Sequence, residues 1–359
     1  MLTVAVSGIN AAENPGPGTG IIRALKESSL DVRSIGLAYD SMEPGIYIDD
    51  LVDKAYVMPY PSGDEKCFKE RLHDIHAKEN LDIIICALDA ELPLYMDMEE
   101  ELLHWGIKML IPHRQSFQLR DKTKLHELAE RILYRTPFFI SCLCHADLDP
   151  ALKRIGFPCM IKGPFYEAFK AATSAEAEDH FWKLANKWGF PIIVQQFIAG
   201  EEYDVVGCGD GKGKDMGLFA IKKMTTTSLG KVWNAVSIKN QKLLDLAATF
   251  VERLCWSGGF ELEILIENKT RDVYLLEVNP RFPAWVYMAA ASGINLPERM
   301  VRYLMGMEYE DHSEYQSGRM MIRYTAEMIK DIKNFEQMLC YGELENRPAP
   351  EKATVMSRT

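Results

Sequence analysis

The segment from Gly259 to Arg281 constrains the fold of this chain most, because it predicts two strands joined by a polar turn. The runs FELEILIE and VYLLEVN are apolar and rich in β-branched residues, whereas NKTRD between them is typical of a loop. If Glu267 pairs with Val273 across that loop, Glu263 falls directly opposite Glu277. The sequence therefore predicts an antiparallel hairpin in which two carboxylates face each other.

Strand side chains alternate between two faces, so this register divides the hairpin into an apolar face and an acidic face. The predicted core face is a continuous apolar row: Phe260, Leu262, Ile264, Ile266, Tyr274, Leu276 and Val278. The opposite face collects Glu261, Glu263, Glu277 and Asn279. Opposed like charges are unfavourable, so we expect a cation among them. Oxygen ligands of this kind suit Mg²⁺ or Mn²⁺, and Mg²⁺ usually brings phosphates with it.

Arg281 follows Asn279 by two residues and therefore lies on the same side of the strand. Its guanidinium can hold a planar anion by two hydrogen bonds. The alternative interpretation is an ordinary hairpin with a solvated acidic face. Asn and Arg at alternate positions beside the glutamate pair favour the binding site.

The amino-acid composition is that of an ordinary soluble protein. Because 359 residues are more than a single hydrophobic core usually contains, we expect two or three domains. A net charge of −11 without a long basic cluster argues against a nucleic-acid partner. We find no apolar run long enough to span a membrane, and MLTVAVSGIN reads as a first strand rather than a signal peptide. Eight scattered cysteines without a CxxC pair favour a reducing, cytoplasmic location.

Residues 1–112 alternate strand and helix patterns, which predicts a parallel α/β sheet. The expected strands are LTVAVSG, VRSIGLAYD, AYVMPY, LDIIICAL and WGIKMLI, the last covering Trp105 to Ile111. Residues 113–198 form a linker helix from Asp121 and a small α+β unit, in which a helix begins after Thr173 and ends at Gly189. Residues 199–346 form a larger unit containing the hairpin, and residues 347–359 are a polar tail.

Two lysines precede the acidic hairpin. Lys122 lies in RDKTK at a helix start, and Lys162 ends the apolar strand of FPCMIKG. A lysine at the end of an apolar strand is costly if buried alone, and a phosphate would remove that cost. Either lysine alone is more simply an exposed surface residue. Their order along the chain, followed by QxxxGEE and then E…ExNxR, carries more information than either one.

That order resembles the ATP-grasp superfamily, in the branch of carbamoyl phosphate synthase, biotin carboxylase and D-alanine ligase. The resemblance covers the whole chain, and EVNPR with its upstream glutamate is the most specific part. It implies a mixed α/β and α+β fold, in which an N-terminal pre-ATP-grasp domain of residues 1–112 carries the parallel sheet. It also implies that ATP is clamped between the small unit, which acts as a lid, and the large unit.

The resemblance further implies a role for each matching residue. Lys122 and Lys162 would bind ATP phosphates, and Glu202 would bind the ribose hydroxyls. Residues of the strand exit would line the adenine pocket, namely Gln195, Phe197 and Ile198. The ligands of Mg²⁺ or Mn²⁺ would be Glu263, Glu277 and Asn279. Arg281, with Lys162, would be catalytic, since it stabilises the reacting phosphate or carboxylate.

One segment departs from the family pattern. The family usually has a glycine-rich loop after the second lysine, whose backbone amides cover the phosphates. Here the sequence is GPFYEAFKAAT, with a single glycine. Lys170 would partly substitute by reaching a phosphate. The alternative is a packed lid formed by Phe165, Tyr166 and Phe169.

The expected activity is that of an ATP-dependent carboxylate–amine (or carboxylate–thiol) ligase, which converts ATP to ADP and phosphate through an acyl phosphate. Its substrates would be a small-molecule carboxylate and an amine, and the acid could also be a peptide or an acid bound to a carrier. The resemblance also allows a homodimer. One alternative is a module that binds ATP with reduced catalysis. Another is an oxidoreductase with a dinucleotide site at Gly16, Gly18, Gly20 and Asp40, although GxGxG differs from GxGxxG.

Overall fold

The computed structural model describes residues 1–12, 15–164, 167–227, 230–310 and 313–347. The first unit contains β1 (Leu2–Ser7), α1 (Gly18–Lys26), β2 (Val32–Ala38), a 3-10 turn (Pro44–Ile46), β3 (Lys54–Val57), α2 (Glu65–Glu79), β4 (Ile83–Ile85), α3 (Leu92–Asp97) and α4 (Glu99–His104). These strands pair in parallel in the order β3-β2-β1-β4, as the alternating pattern predicts.

The predicted strand from Trp105 to Ile111 is wrong. It makes an isolated bridge between Ile83 and Lys108 in place of a ladder. The reason is a close approach to the large unit, where the carbonyl oxygen of Leu110 lies 2.3 Å from the place that a Cβ on Gly258 would take. This packing draws the segment away from the sheet.

A linker and a small unit follow. They contain α5 (Arg114–Gln118), a 3-10 turn (Lys122–Lys124), α6 (Leu125–Arg131), β5 (Phe139–Cys142), a 3-10 turn (His145–Asp147), α7 (Leu148–Ile155), β6 (Cys159–Lys162), β7 (Ala168–Ala171), α8 (Ser174–Trp188) and β8 (Ile192–Gln196). The sheet order is β5-β8-β6-β7. Helix α8 begins where Thr173 Oγ1 accepts a hydrogen bond from the Glu176 amide, and it ends at Gly189 with positive φ.

The small sheet has one covered face and one face turned to the large unit. Its α7 and α8 side packs around Ile161, Phe181 and Val194. Register places Lys162 beside Ile193, and Lys170 and Gln195 beside Met160, all on the opposite face. Ile193 and Phe139 of that face pack into the core of the large unit. Phe169 stacks on His180 of α8, whereas Phe165 and Tyr166 lie outside the described residues.

The large unit contains β9 (Gly200–Asp210), β10 (Asp215–Thr226), β11 (Val232–Ile238), α9 (Gln241–Leu254), β12 (Ser257–Glu267), β13 (Val273–Asn279), α10 (Tyr287–Ala291), α11 (Leu296–Leu304), β14 (Met320–Met321), α12 (Ile332–Tyr341) and β15 (Glu343–Glu345). Strands β13-β12-β9-β10-β11-β14 form one sheet in that order. Helix α9 covers the face that carries Val205, Leu262 and Leu275. The opposite face is free of α9 and carries the acidic residues.

The hairpin β12–β13 has the expected register at its base and a different one near its turn. Glu263 pairs with Glu277, but Ile264 pairs with Leu275 because Leu276 is an extra residue in a β-bulge. Leu275 therefore enters the core, whereas Leu276 and Tyr274 remain partly exposed. The prediction of those two as core residues is wrong. The bulge shifts the register only beyond the glutamate pair, so the acidic face is retained.

Strand β15 returns to the first unit and pairs antiparallel with β3. It brings Glu345 to 2.9 Å from Arg33 of β2. The sheet of the first unit is thus completed by the C-terminal end of the described chain. Of the predicted tail, Arg347 is described, and residues 348–359 lie outside the described ranges.

Candidate active site

Carboxylates converge on the face of the large sheet that α9 leaves free. Glu263 on β12 lies between Glu277 on β13 and Asp204 on β9, since all three occupy one register row. Glu261 lies one step along, beside Asn279, and Glu202 lies one step in the other direction. Such a row of like charges is unfavourable unless cations compensate it.

Lys223 of β10 compensates one side of the row. Its side chain is 6% exposed, and its Nζ lies 2.8 Å from Glu263 Oε2, 3.1 Å from Asp204 Oδ1 and 3.7 Å from Glu202. Burial acts to lower the pKa of Lys223, but the neighbouring carboxylates raise it well above its usual value. Burial raises the pKa of Asp204 well above its usual range, against the opposing effect of Lys223. No local sequence pattern identifies Lys223 and Asp204 as members of this site.

Glu261 serves as a hydrogen-bonding anchor. Trp285 Nε1 donates to its Oε1 at 2.7 Å, while Arg281 and Asn279 donate to its Oε2 at 3.2 and 3.1 Å. Burial raises the pKa of Glu261, against the effect of the Arg281 charge. Because the Asn279 amide nitrogen is turned to Glu261, the amide oxygen of Asn279 is free to accept or to ligate. Glu261 therefore orients two predicted site residues, a role that the sequence did not reveal.

The opposed pair itself has cations on both sides. Glu263 is bound by Lys223, and Glu277 Oε2 lies 3.3 Å from Lys122 Nζ. Burial acts to raise the pKa of Glu263, but the charges of Lys223, Lys122 and Lys162 lower it below its usual value. The lowered pKa favours the charged form of Glu263, which suits this carboxylate to bind a cation. The structure brings Lys122, Glu263 and Glu277 together, and the opposed glutamates are those that the sequence predicts.

Lys162 ends β6 of the small unit, close enough to this pair for the charges of Glu277 and Glu263 to act on its ammonium. Within the described ranges no side chain or backbone group hydrogen-bonds to its ammonium or forms an ion pair with it. Burial lowers the pKa of Lys162, and the charge of Lys122 lowers it further, whereas Glu277, Glu263 and Glu202 oppose these effects. A cation in that environment is a receptor for an anion, and a phosphate group matches it.

The other predicted nucleotide residues lie on the same side of the small unit. Gln195 and Ile198 are buried, and Phe197 is half-buried under the ammonium of Lys170, 4.0 Å from its ring centroid. Lys170 therefore lies beside the predicted adenine wall. Glu202 is exposed at the start of β9 and contacts Lys223. A polar amide and an aromatic ring thus lie near Lys170, and the Glu202 carboxylate lies close enough to Lys162 to act on its charge.

Arg281 joins the large unit to the first unit. Its Nε lies 3.2 Å from Asp89, in the loop after β4, and its Nη1 binds Glu261. Asp89 also pairs with Arg120 of the linker at 3.3 Å. Asp89 lies at the carboxyl edge of the parallel sheet, where ligands commonly bind in α/β folds. The sequence gives no local signal for Asp89, because its partners are distant in the chain.

Two further cations lie near Arg281. Burial lowers the pKa of Lys231, and the charges of Arg281 and Arg323 lower it further, whereas Glu261 and Asp89 oppose these effects. Arg323 Nη2 donates to the Ala284 carbonyl at 2.9 Å, whereas its buried Nε has no partner within the described residues. Burial lowers the pKa of Arg323. The three cations form a positive patch next to the acidic row.

The glycine-rich loop before α1 folds back on β1. A Cβ on Gly16 would lie 2.2 Å from the Gly8 carbonyl oxygen, and one on Gly18 would lie 2.2 Å from that of Ser7. Gly20 contacts Ala284 and Val286 of the large unit at ordinary distances. Gly16 and Gly18 are therefore required by backbone packing, whereas Gly20 has room for a Cβ.

The residues present fit a divalent cation and a nucleotide phosphate. In the described ranges no group of three His, Cys, Asp or Glu side chains is arranged so that it could hold a metal ion by itself. The predicted set has two carboxylates and an amide, which suits Mg²⁺ because this ion takes few protein ligands and completes its shell with phosphate and water. The unpaired Lys162 ammonium supplies an independent observation in favour of a phosphate at this place.

Comparisons with known proteins agree with this geometry. Residues 190–327 match the family described as ATP-grasp in the biosynthetic pathway with Ter operon. The chain is 24% identical to the carbamoyl-phosphate synthase of Methanobrevibacter smithii over 82% of its own length and 84% of that protein. The fold matches N5-carboxyaminoimidazole ribonucleotide synthetase from Thermotoga maritima with a TM-score of 0.63 and 17% identity, over 88% of this chain and 78% of that one.

Residues 190–327 thus match the ATP-grasp superfamily, and the fold of the chain is the ATP-grasp fold. A further structure is the biotin carboxylase domain dimer of a Hydrogenobacter thermophilus carboxylase with MgADP and bicarbonate. It matches this ATP-grasp chain with a TM-score of 0.66 and 16% identity, over 89% of this chain and 73% of that one. The predicted fold class, ATP-grasp with a parallel N-terminal sheet, is confirmed. In the described ranges of this ATP-grasp protein, no helix has the length and apolarity to cross a membrane.

Proposed function

We propose that this ATP-grasp protein is an ATP-dependent ligase that activates a small-molecule carboxylate as an acyl phosphate and joins it to an amine. The observation that supports this most is the unpaired ammonium of Lys162 facing the opposed glutamates Glu263 and Glu277. An anion bound by Lys162 and a cation bound by the glutamates would neutralise each other. Mg²⁺-bound ATP supplies both charges at once.

The chain's own residues then have defined tasks. Lys122 and Lys162 bind phosphate oxygens, and Gln195, Phe197, Ile198 and Glu202 hold the adenosine part. Glu263, Glu277 and Asn279 hold Mg²⁺, which screens the phosphates when bound. Arg281 stabilises the charge that develops on the transferred phosphoryl group. Lys170 contacts Phe197 and contributes to the adenine wall, and its reach to a phosphate remains part of the proposal.

The positive patch of Arg281, Lys231 and Arg323 is where the carboxylate substrate binds in this proposal. Two anions, ATP and the acid, repel each other, and cations between them lower that repulsion. The carboxylate attacks the γ-phosphorus, its new C–O–P bond forms as the bond to ADP breaks, and ADP leaves. The amine then attacks the acyl carbon and releases phosphate, and the proton it loses goes to phosphate or water. The acid, the amine, a homodimeric state and a cytoplasmic location also belong to the proposal.

An assay of ADP release with ATP, Mg²⁺ and pools of acids and amines tests this function. Glu277→Gln and Asn279→Ala each remove a proposed ligand, and we expect ADP release to fall by at least about 100-fold, the upper end of what outer-shell changes alone produce. Glu201→Gln is the matched control, because Glu201 lies next to Glu202 but pairs with Lys222 outside the cleft. Unchanged ADP release in both ligand variants would contradict the proposal. Tight ATP binding without turnover for any acid would favour the reduced ATP-binding module.

A further inference from the structure

Lys223 has no assigned part in the proposed reaction, yet its side chain is almost completely buried beside the acidic row. It reaches from β10 across the sheet, and its ammonium lies between Glu263 of β12 and Asp204 of β9. Its contact of 2.8 Å with Glu263 Oε2 is a charge-assisted hydrogen bond. One of the two oxygens of Glu263 is therefore taken before any metal arrives.

The other oxygen of Glu263 faces the opposite way. Oε1 receives a 3.5 Å contact from the Asn279 amide nitrogen, on the side of β13 where Glu277 also lies. Lys223 thus turns one oxygen of Glu263 toward Glu277 and withholds the second. A carboxylate held in this way can offer a single oxygen to a cation.

Asp204 fixes Lys223 in that position. It is 1% exposed and lies 3.1 Å from the ammonium, and its carboxylate oxygens have no other hydrogen-bond partner within the described residues. A buried carboxylate is costly unless it is paired, so Asp204 strongly favours the ammonium beside it. The buried pair leaves Lys223 little freedom to move away when a cation approaches Glu263.

We propose that Lys223 is a positioning residue that makes the divalent-cation site selective for Mg²⁺ over Ca²⁺, by restricting Glu263 to one ligand oxygen. Mg²⁺ is small, octahedral and satisfied by few protein oxygens, whereas Ca²⁺ takes six to eight and gains from bidentate carboxylates. The inference rests on the proposed function, since it assumes that Glu263 and Glu277 hold the metal of a nucleotide.

The test measures metal selectivity by binding. Mn²⁺ bound to the protein together with a non-hydrolysable ATP analogue is followed by electron paramagnetic resonance, and Mg²⁺ or Ca²⁺ is added to displace it. In Lys223→Met both oxygens of Glu263 become available. We expect the affinity for Ca²⁺ relative to Mg²⁺ to rise by about tenfold, within the range that partners of ligating groups exert. Lys223→Arg keeps a donor and a charge, and it should stay close to the wild type.

Two further variants keep the result interpretable. Lys223→Met alone leaves Asp204 buried and unpaired, which can prevent folding. The double variant with Asp204→Asn removes both charges, and it should show the same rise in relative Ca²⁺ affinity. Lys222→Met is the neighbouring control, because Lys222 pairs with Glu201 away from the row, and it should leave selectivity unchanged.

The outcomes separate this inference from the function on which it rests. If wild-type protein retains no Mn²⁺ beyond that held by the analogue alone, both the proposed function and the role of Lys223 are overturned. If wild-type protein retains Mn²⁺ and the double variant keeps the wild-type ratio of Ca²⁺ to Mg²⁺ affinity, the role of Lys223 is overturned and the ligase proposal stands.

Discussion

Lys162 carries an electrostatic cost in the free protein that an anion would remove. Its pKa is lowered by burial and by Lys122, and no described group pairs with it. We expect Lys162→Met to weaken binding of an ATP analogue by at least about tenfold, because a hydrogen bond to a charged group contributes ~1.5–3 kcal/mol. Calorimetry measures this, with the exposed Lys153→Met of α7 as control. Equal affinity in the two variants would remove Lys162 from the site.

The lowered pKa of Lys162 predicts that the free energy of unfolding changes with pH, and Lys162→Met tests this. Because the folded-state pKa of Lys162 lies below the unfolded value of 10.5, the unfolded chain binds more protons between those two pKa values. The free energy of unfolding of the wild type should therefore rise with pH in that window. Lys162→Met lacks this rise, so it should be more stable than the wild type at neutral pH and converge with it near pH 10.5. Denaturant titrations at several pH values would show a constant difference if this account is wrong.

Residue roles that depend on alternation along one strand could be predicted from the sequence. The pairing of Glu263 with Glu277 follows from period-two geometry and a short loop. The roles of Asp89, Lys223 and Asp204 could not be predicted, because their partners come from other strands or another unit. The available signal was weak: Lys222 and Lys223 follow the apolar run GLFAI, a pattern similar to the one that singled out Lys162.

At the scale of elements, the start of α1 depends on glycines that allow backbone contact with β1. A Cβ on Gly18 would lie 2.2 Å from the Ser7 carbonyl oxygen, a distance that requires the loop to shift. We expect Gly18→Ala to lower the free energy of unfolding by about 1–3 kcal/mol, as overpacking does. Thermal unfolding measures the change.

Gly20→Ala is the matched control in the same helix. Its Cβ would lie 3.4 Å from Val286, an ordinary contact, and alanine favours helix over glycine by ~0.5–1 kcal/mol. We expect neutral or slightly raised stability for this variant. If both variants lost stability equally, the contact with β1 would not explain the glycine at position 18.

Elements built from local pattern were predictable, and those set by distant packing were not. The capping residues Thr173 and Gly189 bound α8 as expected, since a cap depends on a few neighbouring residues. The segment expected to form a strand from Trp105 to Ile111 instead packs against Gly258 of the large unit. The bulge at Leu276 depends on the pairing of β13 with β12. The amide of Leu275 bonds the carbonyl of Arg135, a residue of the linker.

At the scale of the whole molecule, the first unit and the large unit share one core. A single apolar cluster contains Val4 and Ile21 of the first unit, Phe219 and Trp285 of the large unit, and Leu344 of β15. Strand β15 thus closes the chain back onto its beginning. These strands pair residues almost 300 positions apart, and such pairing produces no local sequence pattern. It therefore could not be predicted from the sequence.

Because this core is shared, we expect a destabilising substitution in β15 to lower the stability of both units. Leu344 is 3% exposed, and Leu344→Ala should lower the free energy of unfolding by about 2–5 kcal/mol, the usual cost of such a cavity. Glu343→Ala changes the adjacent residue, whose ion pairs with Lys78 and Lys54 are partly exposed, and it should cost less than about 1 kcal/mol. Circular dichroism and tryptophan fluorescence would follow denaturant unfolding of both. Coincident transitions at lower denaturant for Leu344→Ala support a shared core, whereas loss of stability in one probe alone would mean that the two units unfold independently.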